Sequence, residues 1–187
     1  MKTAGFVLAG GASSRMGQNK AFLEIDGRRM IEIVADAVLA AAGSVAIIAP
    51  QNEYSELGFP VYPDIRTGCG PLAGIETALT HTEADWNLVL ACDMPKVDSD
   101  ILRRILDEAF AQSESSCVMP ESIDGHAQPL CAAYHKRALA AITEALENGT
   151  RKITGSLRGL DVHYLRLWDP IENINTPEDL ARIRGQR

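Results

Sequence analysis

The chain has 187 residues, of which 46% are hydrophobic and 23% are charged, and its formal net charge is −7. These values are typical of a globular protein and argue against disorder, collagen or a coiled coil, and no apolar run approaches the roughly 18 residues that span a membrane. The acidic charge and the 5% aromatic content also disfavour nucleic acid as a partner, because binding it usually requires a basic face or a stacking platform.

Short apolar runs alternate with helix-periodic segments along the first part of the chain. The predicted buried strands are 6–9, 45–49 and 86–91. The predicted helices are 30–42, 72–82 and a third that starts at Asp98 or Ser99. Gly43 is a suitable stop for the first of these helices. The core face of the third comprises Ile101, Leu102, Ile105, Leu106 and Ala109.

The second part of the chain begins with two strands whose close spacing favours an antiparallel connection. Residues 116–119 and 130–134 have strand character, and Asp124-Gly125 between them suits a turn. A helix over 135–148 precedes Gly149, and a strand follows over 162–167. The sequence Thr176-Pro177-Glu178-Asp179 is a strong helix start, with an N-cap, a proline at the first position and acids in the first turn.

Repeated strand–helix units predict an α/β fold with a largely parallel sheet covered by helices on both faces. We expect one domain over 1–187. Ligands of such sheets bind beyond the carboxyl ends of the strands, so the loops after Leu8, Ala49 and Ala91 are the first candidates for a site. The apolar start ends at Gly10, which is too short for a secretory core and favours a cytoplasmic location.

A glycine-rich loop follows the first strand and runs from Leu8 to Lys20. Its glycines let the backbone approach a ligand, and the segment contains two basic residues and no acidic one. Arg15 can grip phosphate with two prongs, and Lys20 can act as a mobile charge. Neither the Walker motif nor the dinucleotide motif is present. A solvated loop with incidental charges is the alternative to an anion site.

Two other segments carry candidate ligand groups. Asp64 precedes the tight turn Gly68-Cys69-Gly70-Pro71, after which helix N–H groups would face a ligand; an ordinary turn explains the same residues. Asp93 follows the third strand, where a carboxylate can hold Mg²⁺ or accept backbone N–H groups in a turn. The four cysteines lack a Cys-x-x-Cys pair, so we expect each to be a small buried thiol.

The loop Leu8-Ala9-Gly10-Gly11 with Ser13-x-Arg15-Met16-Gly17 and Lys20 resembles the signature of the nucleotidyltransferases, in particular the molybdenum cofactor guanylyltransferases. The resemblance extends from Phe6 to about Arg184. It implies a three-layer, Rossmann-like nucleotidyltransferase fold. The paired glycines of the loop and the Gly-Pro-Leu-x-Gly sequence of 70–74 point to GTP, since related cytidylyltransferases usually differ at both places.

The resemblance also implies roles for individual residues. The catalytic residues would be Lys20, Arg15 and Asp93, with Asp93 as the Mg²⁺ ligand. The nucleotide-binding residues would be Leu8, Ala9, Gly10, Gly11, Ser13, Ser14, Lys20, Asp64, Pro71, Leu72, Gly74 and Asp93. The acceptor-binding residues would be Arg151, Lys152, Asn173 and Asn175. Family members often have aspartate at Asn19, a nucleotide-contacting asparagine at Ile48 and histidine at Gln128.

The expected activity is transfer of GMP from GTP to molybdopterin or its molybdenum form, with release of pyrophosphate. Transient contact with molybdoenzymes or their chaperones is also expected. Two alternatives remain open within enzyme chemistry: a cytidylyltransferase for the same pterin and a sugar-phosphate nucleotidyltransferase. A third alternative is a nucleotide-binding adaptor without chemistry that delivers the cofactor. Retention of both Lys20 and Asp93 argues against the adaptor, because binding alone has less need of both.

Overall fold

The computed structural model describes residues 1–10, 19–121, 125–150, 153, 159–167 and 171–184. Its strands are β1 (Thr3–Leu8), β2 (Glu24–Ile25), β3 (Arg28–Arg29), β4 (Ala46–Ile48), β5 (Val61–Tyr62), β6 (Trp86–Ala91), β7 (Cys117–Glu121), β8 (Cys131–His135) and β9 (Val162–Arg166). Its helices are α1 (Met30–Ala42), α2 (Gln51–Tyr54), α3 (Pro71–Thr80), α4 (Ser99–Ala111), α5 (Ala138–Glu147) and α6 (Pro177–Arg184). Short 3₁₀ turns occupy Lys20–Phe22 and Ser55–Leu57.

One sheet organises the described part of the chain, with strand order β5-β4-β1-β6-β8-β7-β9. Every neighbouring pair in it is parallel except the two pairs that β8 makes with β6 and β7. The antiparallel arrangement of β7 and β8 confirms the expectation from their close spacing. In the register of the parallel strands, Leu8 lies opposite both Ile48 and Ala91, so β1, β4 and β6 end at the same edge.

The two faces of the sheet bury different helices. Val7 of β1 belongs to a cluster with apolar residues of α1 and α4, such as Val34 and Leu102. Phe6 and Leu8 point to the other face, where the cluster includes residues of α3 and α5. Successive side chains of β1 thus pack against the helices on opposite faces, as expected for a sheet that is covered by helices on both sides. The three-layer α/β prediction is confirmed.

Helix α1 packs directly on β1 because Gly5 has no side chain. A Cβ at Gly5 would collide with the Val38 side chain and would lie 2.7 Å from the carbonyl oxygen of Ser44. The helix ends at Gly43, which has φ 76° and donates its N–H to the Leu39 carbonyl. This left-handed cap confirms the stop signal expected from the sequence.

Helix α6 packs on the small β2–β3 hairpin through a third apolar cluster. Ile25, Met30, Ile174 and Leu180 are buried together there. The start of α6 follows the sequence prediction: Thr176 Oγ1 accepts from the Asp179 N–H, and Asp179 accepts from the N–H groups of Asn175 and Thr176. These reciprocal bonds lower the pKa of the Asp179 carboxyl. The cap fixes the chain just before it, residues 171–175, beside the sheet edge.

Some boundaries differ from the sequence prediction. The predicted helix 135–148 begins only at Ala138, because His135 is still paired with Trp86 as the last residue of β8. The predicted helix 72–82 runs from Pro71 to Thr80. The hairpin β2–β3, strand β5 and helix α2 were not predicted, since each is too short to show a period. Gly125 has φ 81°, as a turn requires, whereas its predicted partner Asp124 lies outside the described residues.

No helix in the described segments is long and apolar enough to cross a membrane.

Candidate active site

A cleft opens at the edge of the sheet where β1, β4 and β6 end. Cys92 donates its N–H to the Leu8 carbonyl at 3.0 Å, and Ala9 donates to the Ile48 carbonyl at 2.9 Å, so the ends of the three strands are bonded together. The cleft is lined by Leu8, Ala9, Gly10, Asn19, Lys20, Ala21, Pro71, Ala91, Cys92, Asp93 and Leu130. The loops after Leu8 and Ala91 therefore form the site expected at the carboxyl edge.

The charges of Lys20 and Asp93 interact within this cleft. Burial raises the pKa of the Asp93 carboxyl, and the positive charge of Lys20 partly offsets the increase. Asp93 Oδ1 is buried and has no hydrogen-bond partner in the described structure. A buried carboxylate oxygen without a donor is costly, so it marks a place where a ligand or ion can supply the missing interaction. Burial also raises the pKa of the adjacent Cys92 thiol to about 12.

The segment 171–175 bonds to the backbone of Asp93 and to the ammonium group of Lys20. Ile174 donates its N–H to the Asp93 carbonyl oxygen at 2.8 Å. Lys20 Nζ donates to the Ile174 carbonyl at 3.3 Å and to Asn175 Oδ1 at 3.1 Å. The segment is also held from outside by an ion pair of 2.7 Å between Glu172 and Lys96. Asn175, expected on the acceptor side, thus contacts Lys20 at the end of the glycine-rich loop.

Asp64 lies between two glycines at the wall of the cleft. A Cβ at Gly10 would be 3.3 Å from Asp64 Oδ2, and one at Gly74 would be 3.6 Å from Asp64 Oδ1. The Oδ1 atom is buried without a hydrogen-bond partner in the described part of the chain, and burial raises the pKa of the carboxyl. Asp64 therefore offers a second unfilled acceptor, Oδ1, on the side of Gly74, while its Oδ2 lies on the side of Gly10.

Helix α3 anchors the loop that carries Asp64. The Ile65 N–H donates to Thr77 Oγ1 at 3.0 Å, and Arg66 Nε pairs with the buried Glu76 carboxylate at 2.9 Å. Thr143 of α5 donates to the same carboxylate at 3.0 Å. The loop is thus held by two buried polar side chains of α3, Thr77 and Glu76.

The turn before α3 is built as the sequence suggested, but its residues play different parts. Gly68 and Gly70 have φ 69° and 71°, and Pro71 occupies the first turn of the helix. Pro71 lines the cleft, whereas Leu72 is 1% exposed and belongs to the core. Gly74 allows close packing, since a Cβ there would lie 3.2 Å from Leu8 Cδ2. Leu72 and Gly74 therefore shape the wall and do not present side chains to a ligand.

One expectation about the cysteines needs correction, and Ile48 can be placed. Ile48, which stands where family members often have an asparagine, is 1% exposed and belongs to the same core cluster as Leu8 and Leu72. All four cysteines are free, but only Cys117 and Cys131 are buried, while Cys69 and Cys92 are partly exposed. The remaining candidates, Gly11, Ser13, Ser14, Arg15, Arg151 and Lys152, lie outside the described residues.

The residues present fit a magnesium site at Asp93. Mg²⁺ is commonly held by one or two carboxylates together with substrate phosphates, and Asp93 offers a buried oxygen without a donor. No group of three His, Cys, Asp or Glu side chains that could form a complete metal cage occurs in the ranges that the structure describes. The donor set therefore suits an ion that arrives with a phosphate ligand.

Tyr54 bonds to two residues that line the cleft, a role that the sequence did not reveal. Its side chain is 1% exposed, and its hydroxyl bonds to the Ala9 carbonyl at 2.9 Å and to Asn19 Nδ2 at 2.9 Å. Burial raises the pKa of Tyr54 to about 12. Nothing in the sequence relates Tyr54 to residues 35 and 45 positions away, so only the fold could identify this contact.

Comparison with known protein families places these features in context. The chain matches the family model described as the MobA-like NTP transferase domain over residues 5–162. The molybdenum cofactor guanylyltransferase of Vibrio parahaemolyticus is 33% identical, over 97% of this chain and 95% of that protein. A probable molybdenum cofactor guanylyltransferase of Pelotomaculum thermopropionicum is 37% identical, over 98% of this chain and 93% of that protein.

Solved structures agree with this result. Molybdopterin-guanine dinucleotide biosynthesis protein A from Archaeoglobus fulgidus is 27% identical and has a TM-score of 0.79, with 98% of this chain and 97% of that chain covered. CMP:2-keto-3-deoxy-manno-octonic acid synthetase has a TM-score of 0.80 at 15% identity, with 99% of this chain and 98% of that chain covered. The second likeness concerns the fold alone, and it confirms the nucleotidyltransferase architecture.

Proposed function

Because this chain belongs to the MobA-like NTP transferase family, we propose that it transfers GMP from GTP to molybdopterin or its molybdenum form. The observation that carries this proposal is identity of 33% and 37%, over nearly the full length, to relatives named as guanylyltransferases of the molybdenum cofactor. The cleft supports it, since Gly10, Lys20 and Asp93 all line one site.

In this reaction an oxygen of the acceptor's terminal phosphate attacks the α-phosphorus of GTP. The bond between the α-phosphorus and the α,β-bridging oxygen breaks, and pyrophosphate leaves with the electron pair of that bond. Such transfers need in-line positioning and charge neutralisation more than covalent help from the protein. The chain would provide both through its backbone at the end of β1 and its charged groups.

Lys20 would stabilise the negative charge that grows on the α,β-bridging oxygen. Asp93 would hold Mg²⁺, which when bound supplies positive charge to the phosphates. Gly10 and Gly11 would present backbone N–H groups to the triphosphate, aided by Ser13, Ser14 and Arg15. Asp64 has a buried oxygen without a donor in the described structure and would accept a hydrogen bond from the nucleotide.

The acceptor would bind on the side of the cleft formed by residues 171–175. Asn173 and Asn175 flank the buried Ile174 there, and Arg151 and Lys152 would bind the acceptor's phosphate. Asn175 Oδ1 accepts from Lys20 at 3.1 Å, so the acceptor side of the cleft is hydrogen-bonded to the group that would neutralise the leaving pyrophosphate. The labile product would then pass to a molybdoenzyme or its chaperone through a transient contact.

Thermal stability with each of GTP, CTP, ATP and UTP, measured with and without Mg²⁺, tests the nucleotide part of the proposal. A ligand at about 100-fold over its dissociation constant adds roughly 2.7 kcal/mol to the free energy of unfolding. We expect selective stabilisation by GTP with Mg²⁺. Stronger stabilisation by CTP or UTP, or none by any nucleotide, would contradict GTP as the donor. Pyrophosphate release with acceptor present separates an enzyme from a binding adaptor.

A further inference from the structure

Tyr54 bonds to residues near both ends of the glycine-rich loop, which runs from Leu8 to Lys20. Its hydroxyl donates to the carbonyl oxygen of Ala9, the residue before Gly10, at 2.9 Å. The same hydroxyl accepts from Nδ2 of Asn19, the residue before Lys20, at 2.9 Å. Tyr54 itself does not line the cleft, whereas Ala9, Gly10, Asn19 and Lys20 do.

The direction of these hydrogen bonds follows from the chemistry of the groups. Asn19 Oδ1 accepts from the Ala21 N–H at 3.1 Å as the cap of the short 3₁₀ turn. The amide nitrogen of Asn19 is also nearer to the Tyr54 hydroxyl than Oδ1 is, 2.9 Å against 3.3 Å, and its other hydrogen reaches Glu53 Oε2 at 2.6 Å. A tyrosine hydroxyl has one hydrogen to donate, and the Ala9 carbonyl at 2.9 Å receives it.

We propose that Tyr54 is a positioning residue for the triphosphate, because it fixes Gly10 and Lys20 relative to each other through Ala9 and Asn19. This inference rests on the proposed function, in which Gly10 and Lys20 bind phosphate. Fixing Gly10 relative to Lys20 before binding reduces the conformational entropy that is lost when an anion binds between them. The hydroxyl of Tyr54 would thus set the affinity for the phosphates without touching them.

The positioning role of the Tyr54 hydroxyl can be tested separately from the packing of its buried ring. Its ring stacks on Phe22 with 5.0 Å between the centroids, and phenylalanine at position 54 would retain that contact. The hydroxyl adds only its hydrogen bonds to Ala9 and Asn19. Tyr54→Phe is therefore a change of two hydrogen bonds in a preserved apolar setting.

The direct test is to compare binding of GTP, guanosine and inorganic tripolyphosphate, each with Mg²⁺, to the wild type and Tyr54→Phe. Loss of a hydrogen-bonded anchor typically changes an equilibrium by about five- to tenfold. We expect the dissociation constants of GTP and tripolyphosphate to rise by about that factor. We expect guanosine affinity to stay the same, and in turnover KM for GTP to rise more than kcat falls.

Tyr134→Phe is the matched control. Tyr134 is also 1% exposed, and its hydroxyl also donates to a backbone carbonyl, that of Pro129 at 2.8 Å. It makes no hydrogen bond to Ala9 or Asn19 among the described contacts. We expect this variant to lose thermal stability as Tyr54→Phe does, but to bind tripolyphosphate like the wild type.

A double-mutant cycle with Asn19→Ala asks whether Tyr54 acts through Asn19. The effects of Tyr54→Phe and Asn19→Ala on tripolyphosphate binding should be less than additive, because they remove one shared contact. Unchanged tripolyphosphate affinity in Tyr54→Phe, or equal losses in both tyrosine variants, would overturn the positioning role. Preference of the wild type for another nucleotide would overturn the proposed function instead, since tripolyphosphate binding does not depend on the base.

Discussion

The backbone N–H of Ile174 donates to the carbonyl oxygen of Asp93 over 2.8 Å, and this bond joins the chain before α6 to the end of β6. The carbonyl of Ile174 in turn accepts from Lys20 Nζ at 3.3 Å. One buried residue therefore bonds to both residues to which we assign charged roles in transfer. The acceptor side and the nucleotide side of the cleft share a hydrogen-bonded frame, which gives in-line transfer a fixed geometry.

Removing either charged group should abolish most turnover while leaving the fold intact. Loss of one preorganised charge typically lowers the rate by about 10²–10³. We expect Lys20→Ala and Asp93→Ala each to reduce kcat by that factor, measured as pyrophosphate release, with circular dichroism like that of the wild type. Rates within a few-fold of the wild type would remove the residue concerned from the mechanism.

Lys136→Ala and Asp85→Ala provide controls at the opposite end of β6. Asp85 lies just before this strand and is exposed, whereas Asp93 follows the other end of the strand and has a buried carboxylate oxygen. Lys136 donates its N–H to the Asp85 carbonyl at 2.8 Å and its ammonium to Thr82 O. Both variants should keep turnover within about twofold, as substitutions remote from a site usually do.

The sequence was sufficient for six of the seven strands of the sheet in the described residues, and for the loops after Leu8 and Ala91 that line the cleft. Strand 86–91 is buried at every position because both faces of the sheet are covered, and all of its residues except Asn87 are apolar, which is the pattern that identifies it. The position of Asp93 after such a strand then follows from the general rule for parallel sheets. Strand β5 has only the residues Val61 and Tyr62, so no periodicity could identify it.

Substitution of Asn175 should lower turnover, through Lys20, more than it lowers the stability of the fold. Its Oδ1 accepts from Lys20 Nζ at 3.1 Å, and it lies on the surface before α6. We expect Asn175→Ala to lower kcat about three- to tenfold, the usual effect of one hydrogen bond to a charged group that is partly in solvent. Asn148→Ala, at the exposed end of α5, should leave the rate unchanged. Equal rates for the two variants would show that Asn175 does not position Lys20.

Asp64 should make the stability of the apoprotein depend on pH. Burial raises its pKa in the folded state, so its stabilising contribution is complete below the unfolded pKa and is lost as the pH rises through the folded pKa. We expect Asp64→Asn to exceed the wild type in free energy of unfolding at about pH 7.5, with the excess shrinking towards about pH 4. Urea denaturation across this range measures both quantities.

Asp179→Asn is a control for which the change in the free energy of unfolding should have the opposite sign. Hydrogen bonds from Asn175 and Thr176 lower the pKa of Asp179, so its contribution is present above the unfolded pKa and is lost as the pH falls through the folded pKa. This variant should be less stable than the wild type at neutral pH. An Asp64→Asn variant that is also less stable at neutral pH would contradict the unfilled acceptor at Asp64.

Gly5 should tolerate no side chain, because α1 packs against it. A Cβ would meet Val38 and the Ser44 carbonyl, whose oxygen would be 2.7 Å away. We expect Gly5→Ala to lower the free energy of unfolding by about 1–3 kcal/mol, as overpacking does. Gly159→Ala is the control, since its Cβ would make an ordinary contact of 3.6 Å with Ala141. Similar midpoints of urea unfolding for both variants would contradict this packing.

The parts of the site that the sequence could not predict depend on contacts between distant residues. Tyr54 reads as an ordinary core residue, and only the fold brings its hydroxyl to Ala9 and Asn19. Ile48 aligns with a ligand-contacting position by resemblance, but its side chain points into the core. Sequence identifies which chemistry is available, whereas side-chain direction and pairing depend on the packing of the whole sheet.

The most direct measurement is a transfer assay with GTP labelled at its α-phosphate, molybdopterin and Mg²⁺. The proposed activity predicts that label enters a guanine dinucleotide and that one pyrophosphate is released for each label transferred. CTP in place of GTP should give little product, and Lys20→Ala should give almost none. No labelled dinucleotide from the wild type with intact acceptor, or faster transfer from CTP, would contradict guanylyl transfer.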